Sequence, residues 1–110
     1  MDKSIITIKQ AHSIENVISK SRFIAYIKPV STENEAKAFI DEIKTKHKDA
    51  THNCSAYTVG PEMNIQKAND DGEPSGTAGI PMLEILKKQE IHNVCVVVTR
   101  YFGGIKLGAG

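Results

Sequence analysis

The segment from Ile91 to Thr99 constrains the fold most, because it is a run of mainly β-branched, apolar residues. Apolar side chains occupy both odd and even positions of this run, whereas a strand with one solvated face alternates apolar with polar residues. The segment therefore predicts a strand at the centre of a sheet, covered on both faces. Its longest uninterrupted apolar part, Val94 to Val98, is too short to cross a bilayer.

The segments before this run predict the remaining elements of an α+β domain. Alternating or β-branched apolar residues predict strands at Ile5 to Ile8, His12 to Lys20, Arg22 to Lys28, Thr51 to Val59 and Met63 to Ala68. An amphipathic helix of about four turns follows the third of these strands, and Thr32 and Glu35 have capping-box spacing at its start. A second helix is predicted from Thr77 to Gln89, with Thr77 as its N-cap and Pro81 in its first turn.

Length, charge and cysteine content narrow the class of protein. The 110 residues fit a single domain with one hydrophobic core. The 14 Lys and Arg residues balance 13 Asp and Glu, so nucleic-acid binding would need a local basic surface. Cys54 and Cys95 are too few for a disulfide scaffold, and the first residues form no apolar leader. We therefore expect a cytoplasmic protein with no membrane partner.

The segment from Arg100 to Gly110 contains four glycines and two cations, Arg100 and Lys106. Glycines let a backbone approach a ligand closely, so the segment suits contact with a phosphate or a nucleic-acid backbone. A tight exit from a strand is the alternative, because Ala109 follows Gly108 where a P-loop has Lys. Since a buried strand and a glycine-rich loop normally lead into a covering element, we expect the sequence to be a piece of a longer protein.

The loop from Asn69 to Gly76 carries three carboxylates, Asp70, Asp71 and Glu73. Such a group can bind a divalent cation or transfer protons. The spacing does not match an EF-hand, and carboxylates just before a helix also stabilise its N-terminus. The favoured interpretation is capping or ordering of the loop, and no metal is expected.

Histidine and cysteine residues provide a weaker signal. His52 and Cys54 share one face of a predicted strand, and His92 and Cys95 lie on another predicted strand. Zinc needs four converging ligands, and a Cys–His nucleophile pair needs a third group to orient it. We therefore expect Cys95 in the core and His52 as a hydrogen-bonded residue, with a role as general base left open.

Four blocks of sequence together resemble the signature blocks of the YigZ/Impact family, in the same order: Lys20 to Ala25, Ala50 to Cys54, Asp71 to Gly79 and Arg100 to Gly110. The resemblance implies an α+β fold, a mixed but mostly antiparallel sheet with helices packed on one face. This fold is shared with a small-subunit ribosomal protein and with domain IV of the translocating elongation factor. It also implies that residues 1–110 are one Impact-type N-terminal domain, truncated before the usual next helix and the ferredoxin-like second domain of bacterial members.

The resemblance further implies a link to translation, since eukaryotic relatives regulate initiation by binding an activator of a starvation-responsive kinase. The favoured hypothesis is a binding module without cofactor that contacts the ribosome, RNA or a translation-regulator protein. Its candidate binding residues are Lys20, Arg22, His52, Asp71, Glu73, Arg100, Gly103, Gly104, Lys106 and Gly108.

Two alternatives to the binding module remain open. One is a small hydrolytic or phosphate-handling enzyme that uses His52, Asp70, Asp71 and Glu73. The other is an assembly or structural domain whose glycine motifs serve only the fold. Of the two, only the enzyme requires a catalytic set of side chains in one cleft.

Overall fold

The structure is a computed structural model that describes residues 10–18, 20–72 and 78–102. Within these residues, two helices and five strands follow one another as β1 (His12–Ile18), β2 (Ser21–Pro29), α1 (Glu33–Lys46), β3 (His52–Val59), β4 (Ile65–Asn69), α2 (Gly79–Lys88) and β5 (Val94–Tyr101). The strands form one sheet in the order β1-β2-β5-β3-β4, and each neighbouring pair is antiparallel. The predicted α+β class with a largely antiparallel sheet is confirmed.

Strand β5 lies at the centre of the sheet, as its apolar sequence predicts. It pairs with β2 on one side and with β3 on the other. Val94 and Val97, which point to opposite faces, are both fully buried. The strand begins at Val94 rather than Ile91 because Glu90 and Asn93 adopt positive φ and turn the chain from α2 into β5.

Helix α1 begins as its capping sequence predicts. The Thr32 Oγ1 accepts the Glu35 amide at 3.1 Å, and the Glu35 Oε1 accepts the Ser31 amide at 2.6 Å. These reciprocal bonds satisfy amides that have no partner within the helix. Its buried stripe, Ala36, Phe39 and Ile43, packs on the sheet.

The two helices lie on opposite faces of the sheet, which corrects the expectation that they share one face. Helix α1 packs with Tyr57, Cys95 and Val97, whereas α2 packs with Ala56 and Val96. Successive side chains of a strand point to opposite faces, so these two sets belong to different faces. The physical reason is the composition of β3 and β5, whose consecutive buried residues require cover on both sides.

The remaining predictions of elements that fall on described residues agree with the structure to within a few residues. Strand β1 occupies most of the predicted His12 to Lys20 segment, and all seven of its residues are exposed. Helix α2 is described from Gly79, while its predicted N-cap Thr77 and the strand predicted at Ile5 to Ile8 lie outside the described residues. In the part of the chain that is described, neither helix has the length and hydropathy needed to cross a membrane.

Candidate functional surface at one end of the sheet

The antiparallel order brings most of the candidate residues to one end of the sheet. At this end β1, β4 and β5 finish and β2 and β3 start. We call the group found here the sheet-end surface: Lys20, Arg22, His52, Asp70, Asp71 and Arg100. Five further candidates, Glu73, Gly103, Gly104, Lys106 and Gly108, lie outside the described residues and stay predictions.

The two arginines of the sheet-end surface project from opposite faces. Arg22 pairs in register with Tyr101, and the next residue, Phe23, pairs with Arg100. Because neighbouring residues of a strand point to opposite sides, Arg22 lies on the α1 face and Arg100 on the α2 face. The expectation of one basic patch containing both side chains is therefore corrected: the arginines flank the end of the sheet from two sides.

Aromatic rings position both guanidinium groups. The Arg100 Cζ lies 5.6 Å from the centre of the Phe23 ring and 5.2 Å from that of Phe102. The Arg22 Cζ lies 5.3 Å from the centre of the Tyr101 ring, and Arg22 also forms an ion pair with Glu15. Stacked guanidinium groups lose less conformational freedom when their N–H groups bind an anion.

His52 lies beside Arg100 on the α2 face, because the two residues are register partners in β3 and β5. Its Nδ1 is 2.8 Å from the carbonyl oxygen of Asp71. A carbonyl oxygen only accepts, so Nδ1 carries the proton of the neutral ring and Nε2 carries the lone pair. Gly72 adopts φ +90°, and a Cβ there would lie 3.4 Å from the imidazole. The loop thus fixes both the tautomer and the position of His52.

The carboxylates of the acidic loop are engaged in holding the fold. The Asp70 Oδ1 accepts the Gly79 amide at 2.6 Å and the Ala78 amide at 3.1 Å, at the start of α2. The Asp71 Oδ2 accepts the Asn53 amide at 2.6 Å, where β3 begins. These contacts support the capping interpretation of the loop. No group of three or more potential metal ligands occurs among the described side chains.

The structure separates the two cysteines that were considered as zinc ligands. Cys54 shares a face of the sheet with His52, and its thiol donates to the Asp70 carbonyl oxygen at 3.2 Å. Cys95 lies on the opposite face, fully buried under α1. Burial raises the pKa of the Cys95 thiol to about 12, which keeps it protonated and unreactive. Cys95 is a core residue, as predicted.

A hydrogen-bond network centred on His47 was missed by the sequence interpretation. Its Nε2 is 2.6 Å from the Tyr26 hydroxyl, and its Nδ1 is 2.6 Å from the Tyr101 hydroxyl. The Tyr101 hydroxyl donates to Asp49 at 3.1 Å, so it accepts from Nδ1, and Tyr26 donates to Nε2. Burial, followed by the charges of Lys46 and Arg22, lowers the pKa of His47.

A sequence signal for His47 does exist. The residue continues the apolar stripe of α1 four positions after Ile43, which places it on the buried side of the helix. The network joins the C-terminal end of α1 to β2 and β5 at the sheet end, next to Arg22. It therefore supports the α1 side of the sheet-end surface.

Comparison with known proteins places this architecture in a family. IMPACT family member YvyE of Bacillus subtilis is 64% identical over 107 residues, which are 97% of this chain and 49% of that protein. A crystal structure described as that of an hypothetical protein matches with a TM-score of 0.82 and 38% identity, covering 87% of this chain and 48% of the other. The two-domain translational regulator Yih1 matches with a TM-score of 0.60 and 31% identity, covering 84% of this chain and 36% of Yih1.

The chain spans about half the length of the curated bacterial relatives that it matches. The family model for the Impact N-terminal domain matches residues 19–110, which include β2 and every later element but not β1. The sequence blocks that resemble the Impact family and this match agree. The chain therefore belongs to the Impact family.

Proposed function

We propose that this chain is a translation-regulatory binding domain that contacts ribosomal RNA through the sheet-end surface. Among the proteins that it resembles, Yih1 is described as a translational regulator. The observation that carries the proposal is the placement of Lys20, Arg22 and Arg100 at one end of the sheet, on both of its faces. The proposal is limited to this domain, and it implies the cytoplasmic location that the sequence predicts.

The geometry of the arginines supports binding to phosphate. Each guanidinium is braced on at least one aromatic ring, and the side chain of Arg22 is 48% exposed. Arginine donates N–H groups in a planar fork to phosphate oxygens. The Nε and Nη2 groups of Arg22 donate to Glu15, so a phosphate that binds through them exchanges with that carboxylate. Because the two arginines flank the sheet end, one RNA backbone that crosses this end reaches both side chains. Phosphate contacts of this kind weaken steeply with salt.

The acidic loop orders one side of this surface. Asp70 and Asp71 are bonded to backbone amides, and Asp71 also lies 3.9 Å from the Lys44 ammonium. The carbonyl oxygen of Asp71 in the same loop also holds the His52 side chain. The loop therefore fixes the α2 side of the surface on which Arg100 lies.

Co-sedimentation with ribosomes at low and moderate salt tests the proposal. We expect salt-sensitive association that falls at least tenfold in the double variant Lys20→Glu/Arg22→Glu, because two cationic contacts become repulsive. Lys87→Glu/Lys88→Glu is the matched control, with the same change of charge at the C-terminal end of α2, away from the sheet end. Association that is insensitive to both salt and the first variant would contradict RNA contact.

A second arm separates RNA from a protein partner. Purified ribosomal RNA replaces whole ribosomes, and the same variants are compared. Equal salt sensitivity with RNA alone supports the proposed phosphate contacts. Binding to ribosomes without any binding to RNA would instead indicate a protein ligand and overturn this proposal.

The enzymatic alternative keeps one supporting observation, the oriented imidazole of His52 with its lone pair on Nε2. Two of the three carboxylates assigned to that alternative, Asp70 and Asp71, accept hydrogen bonds from backbone amides, and the third, Glu73, lies outside the described residues. A hydrolytic role predicts turnover of a phosphate ester that is lost in His52→Gln. Ribosome association that survives His52→Gln supports the binding module.

A further inference from the structure

A groove separates α1 from the edge strand β4, on the face of the sheet opposite to α2. Its volume is about 260 Å³, and its lining includes Lys37, Ile40 and Asp41 from α1 and Tyr57, Lys67 and Ala68 from the sheet. The groove exists because α1 packs over β5, β3 and β2 and does not extend across β4. We call it the α1–β4 groove; its lining includes none of the residues of the sheet-end surface.

The charge of the groove is set by two exposed lysines. Lys37 projects from the helix and Lys67 from β4, so the two cations lie on opposite sides of the groove. No carboxylate of the described residues lies within ion-pair distance of either ammonium, whereas Lys44 on the same helix is 3.9 Å from Asp71. Among the described residues that line the groove, Lys37 and Lys67 outnumber the one carboxylate, Asp41, and Glu33, which accepts the Tyr57 hydroxyl, is not part of this lining. The lining therefore carries a net positive charge and favours an anionic ligand.

The groove lies beside an open strand edge, and apolar side chains line or adjoin it on the α1 face. Ile40 of α1 is partly buried, and Ile65, at the start of β4 on the same face as Lys67, is 38% exposed. Within the described ranges, β4 pairs with β3 alone. Alternate amide and carbonyl groups of an edge strand point outwards and can bond to an added strand.

We propose that the α1–β4 groove binds an extended, acidic peptide segment of a partner protein by adding it as a strand to β4. The peptide backbone bonds to the outer edge of β4, and every second side chain enters the groove. Acidic side chains at these positions contact Lys37 and Lys67, and an apolar side chain between them covers Ile40. The ligand is thus an extended segment that alternates acidic and apolar residues on one face.

The test is a titration of the ¹⁵N-labelled chain with the peptide acetyl-Glu-Thr-Val-Thr-Glu-Thr-Val-Thr-amide, followed by amide chemical shifts. We expect saturable shifts in β4 and in the first two turns of α1. A second peptide with Lys in place of each Glu should bind at least tenfold more weakly. Shifts elsewhere, no shifts at millimolar peptide, or equal binding of the lysine peptide would overturn the proposal.

Variants separate this groove from the sheet-end surface. Lys37→Glu/Lys67→Glu should weaken binding of the acidic peptide by roughly tenfold, since two exposed ion pairs become repulsive. Lys88→Glu, on the opposite face of the sheet, and Lys20→Glu/Arg22→Glu should bind the peptide as the parent chain does. Loss of binding in these two controls would contradict the assignment to the groove.

A nucleic acid could also bind the two lysines of the α1–β4 groove, and it is therefore tested as a competing ligand. A uridine octamer is titrated under the same conditions as the acidic peptide. Shifts in β4 with the octamer at lower concentration than with the peptide would replace the proposed peptide site by an RNA site. If the octamer displaces the bound peptide no more than a simple salt of the same ionic strength does, the result supports the peptide site.

Discussion

The two helices begin in different ways, and the difference shows which parts of the fold are encoded locally. At the start of α1, Thr32 accepts the Glu35 amide, and Glu35 accepts the amide of Ser31 just before the helix. The N-cap residue of α2, Ala78, supplies no side-chain bond, and its helix relies on Asp70 from the preceding loop. Helix α1 is thus defined by adjacent residues, whereas α2 depends on the acidic loop and on β4.

The dependence of α2 on β4 also involves close backbone packing. A Cβ at Gly79 would lie 2.6 Å from the backbone nitrogen of Asn69 and 2.7 Å from its carbonyl oxygen. Only a residue without a side chain lets the helix approach the strand this closely. The acidic loop therefore has the structural task of docking α2 against the sheet end, which orders the surface proposed to bind RNA.

The largest expected effect comes from Gly79→Ala. The added methyl group meets backbone atoms of Asn69, which cannot move without disturbing β4, so the free energy of unfolding should fall by about 3 kcal/mol. Urea denaturation followed by circular dichroism measures this change. Ile80→Ala, at an exposed neighbouring position, is the control and should cost much less. Equal stability of the Gly79→Ala variant and the parent would refute the close docking of α2.

Removal of the long-range cap is expected to have the next largest effect. Asp70→Ala leaves the Ala78 and Gly79 amides without their carboxylate acceptor, and the loss should be about 2 kcal/mol of stability. Asp70→Asn keeps one acceptor oxygen and should recover much of the loss. Thermal unfolding of the three proteins provides the comparison, and an unchanged melting temperature in Asp70→Ala would show that the loop is not a cap.

The local cap of α1 should contribute less to the free energy of unfolding than the long-range cap of α2. Thr32→Ala removes one neutral hydrogen bond at an exposed helix start, so the expected cost is about 1 kcal/mol. Thr32→Ser retains the hydroxyl and should stay close to the parent chain in urea denaturation. A larger loss in Thr32→Ala than in Asp70→Ala would reverse the proposed contrast between the two helices.

Protonation of His47 should also lower the free energy of unfolding gradually as the pH decreases. The folded state lowers the pKa of His47 below its ordinary value of 6.5, so this contribution is fully present above pH 6.5. Below that pH, His47 is protonated in the unfolded chain but not yet in the folded chain. The free energy of unfolding therefore declines until the pH reaches the pKa of His47 in the folded state. Unfolding curves at pH 7 and pH 5.5 measure this loss of stability, which should be smaller in His47→Gln than in the parent chain. An identical decline in both proteins would assign it to other groups.

The elements that sequence predicts well are those with a complete local pattern. The spacing of Ala36, Phe39 and Ile43 and the β-branched run of β5 each identify the type of element, its buried side and its position in the fold. The arrangement of the helices on two faces was not predicted. The β-branched run indicates that both faces of β5 are covered, but the pattern within one strand does not define which element covers each face.

For the candidate site, too, the sequence predicts some features and not others. The residue types at the sheet end could be identified from sequence, because Arg22, His52 and Arg100 stand in distinctive blocks. Their relative placement could not, since pairing of Arg22 with Tyr101 and of Arg100 with Phe23 sets the two arginines on opposite faces. The His47 network likewise needs three elements that meet only in the folded chain.

The central claim is that cations at the sheet end contact RNA phosphates, and the salt dependence of RNA binding tests it most directly. The association constant for ribosomal RNA is measured at several salt concentrations for the parent chain and for Lys20→Gln/Arg22→Gln. Each phosphate contact contributes roughly 0.7 to 0.9 to the slope of log K against log salt. The account predicts a slope that is smaller by about 1.5 in the double variant. An unchanged slope, with or without weaker binding, would contradict phosphate contact at this surface.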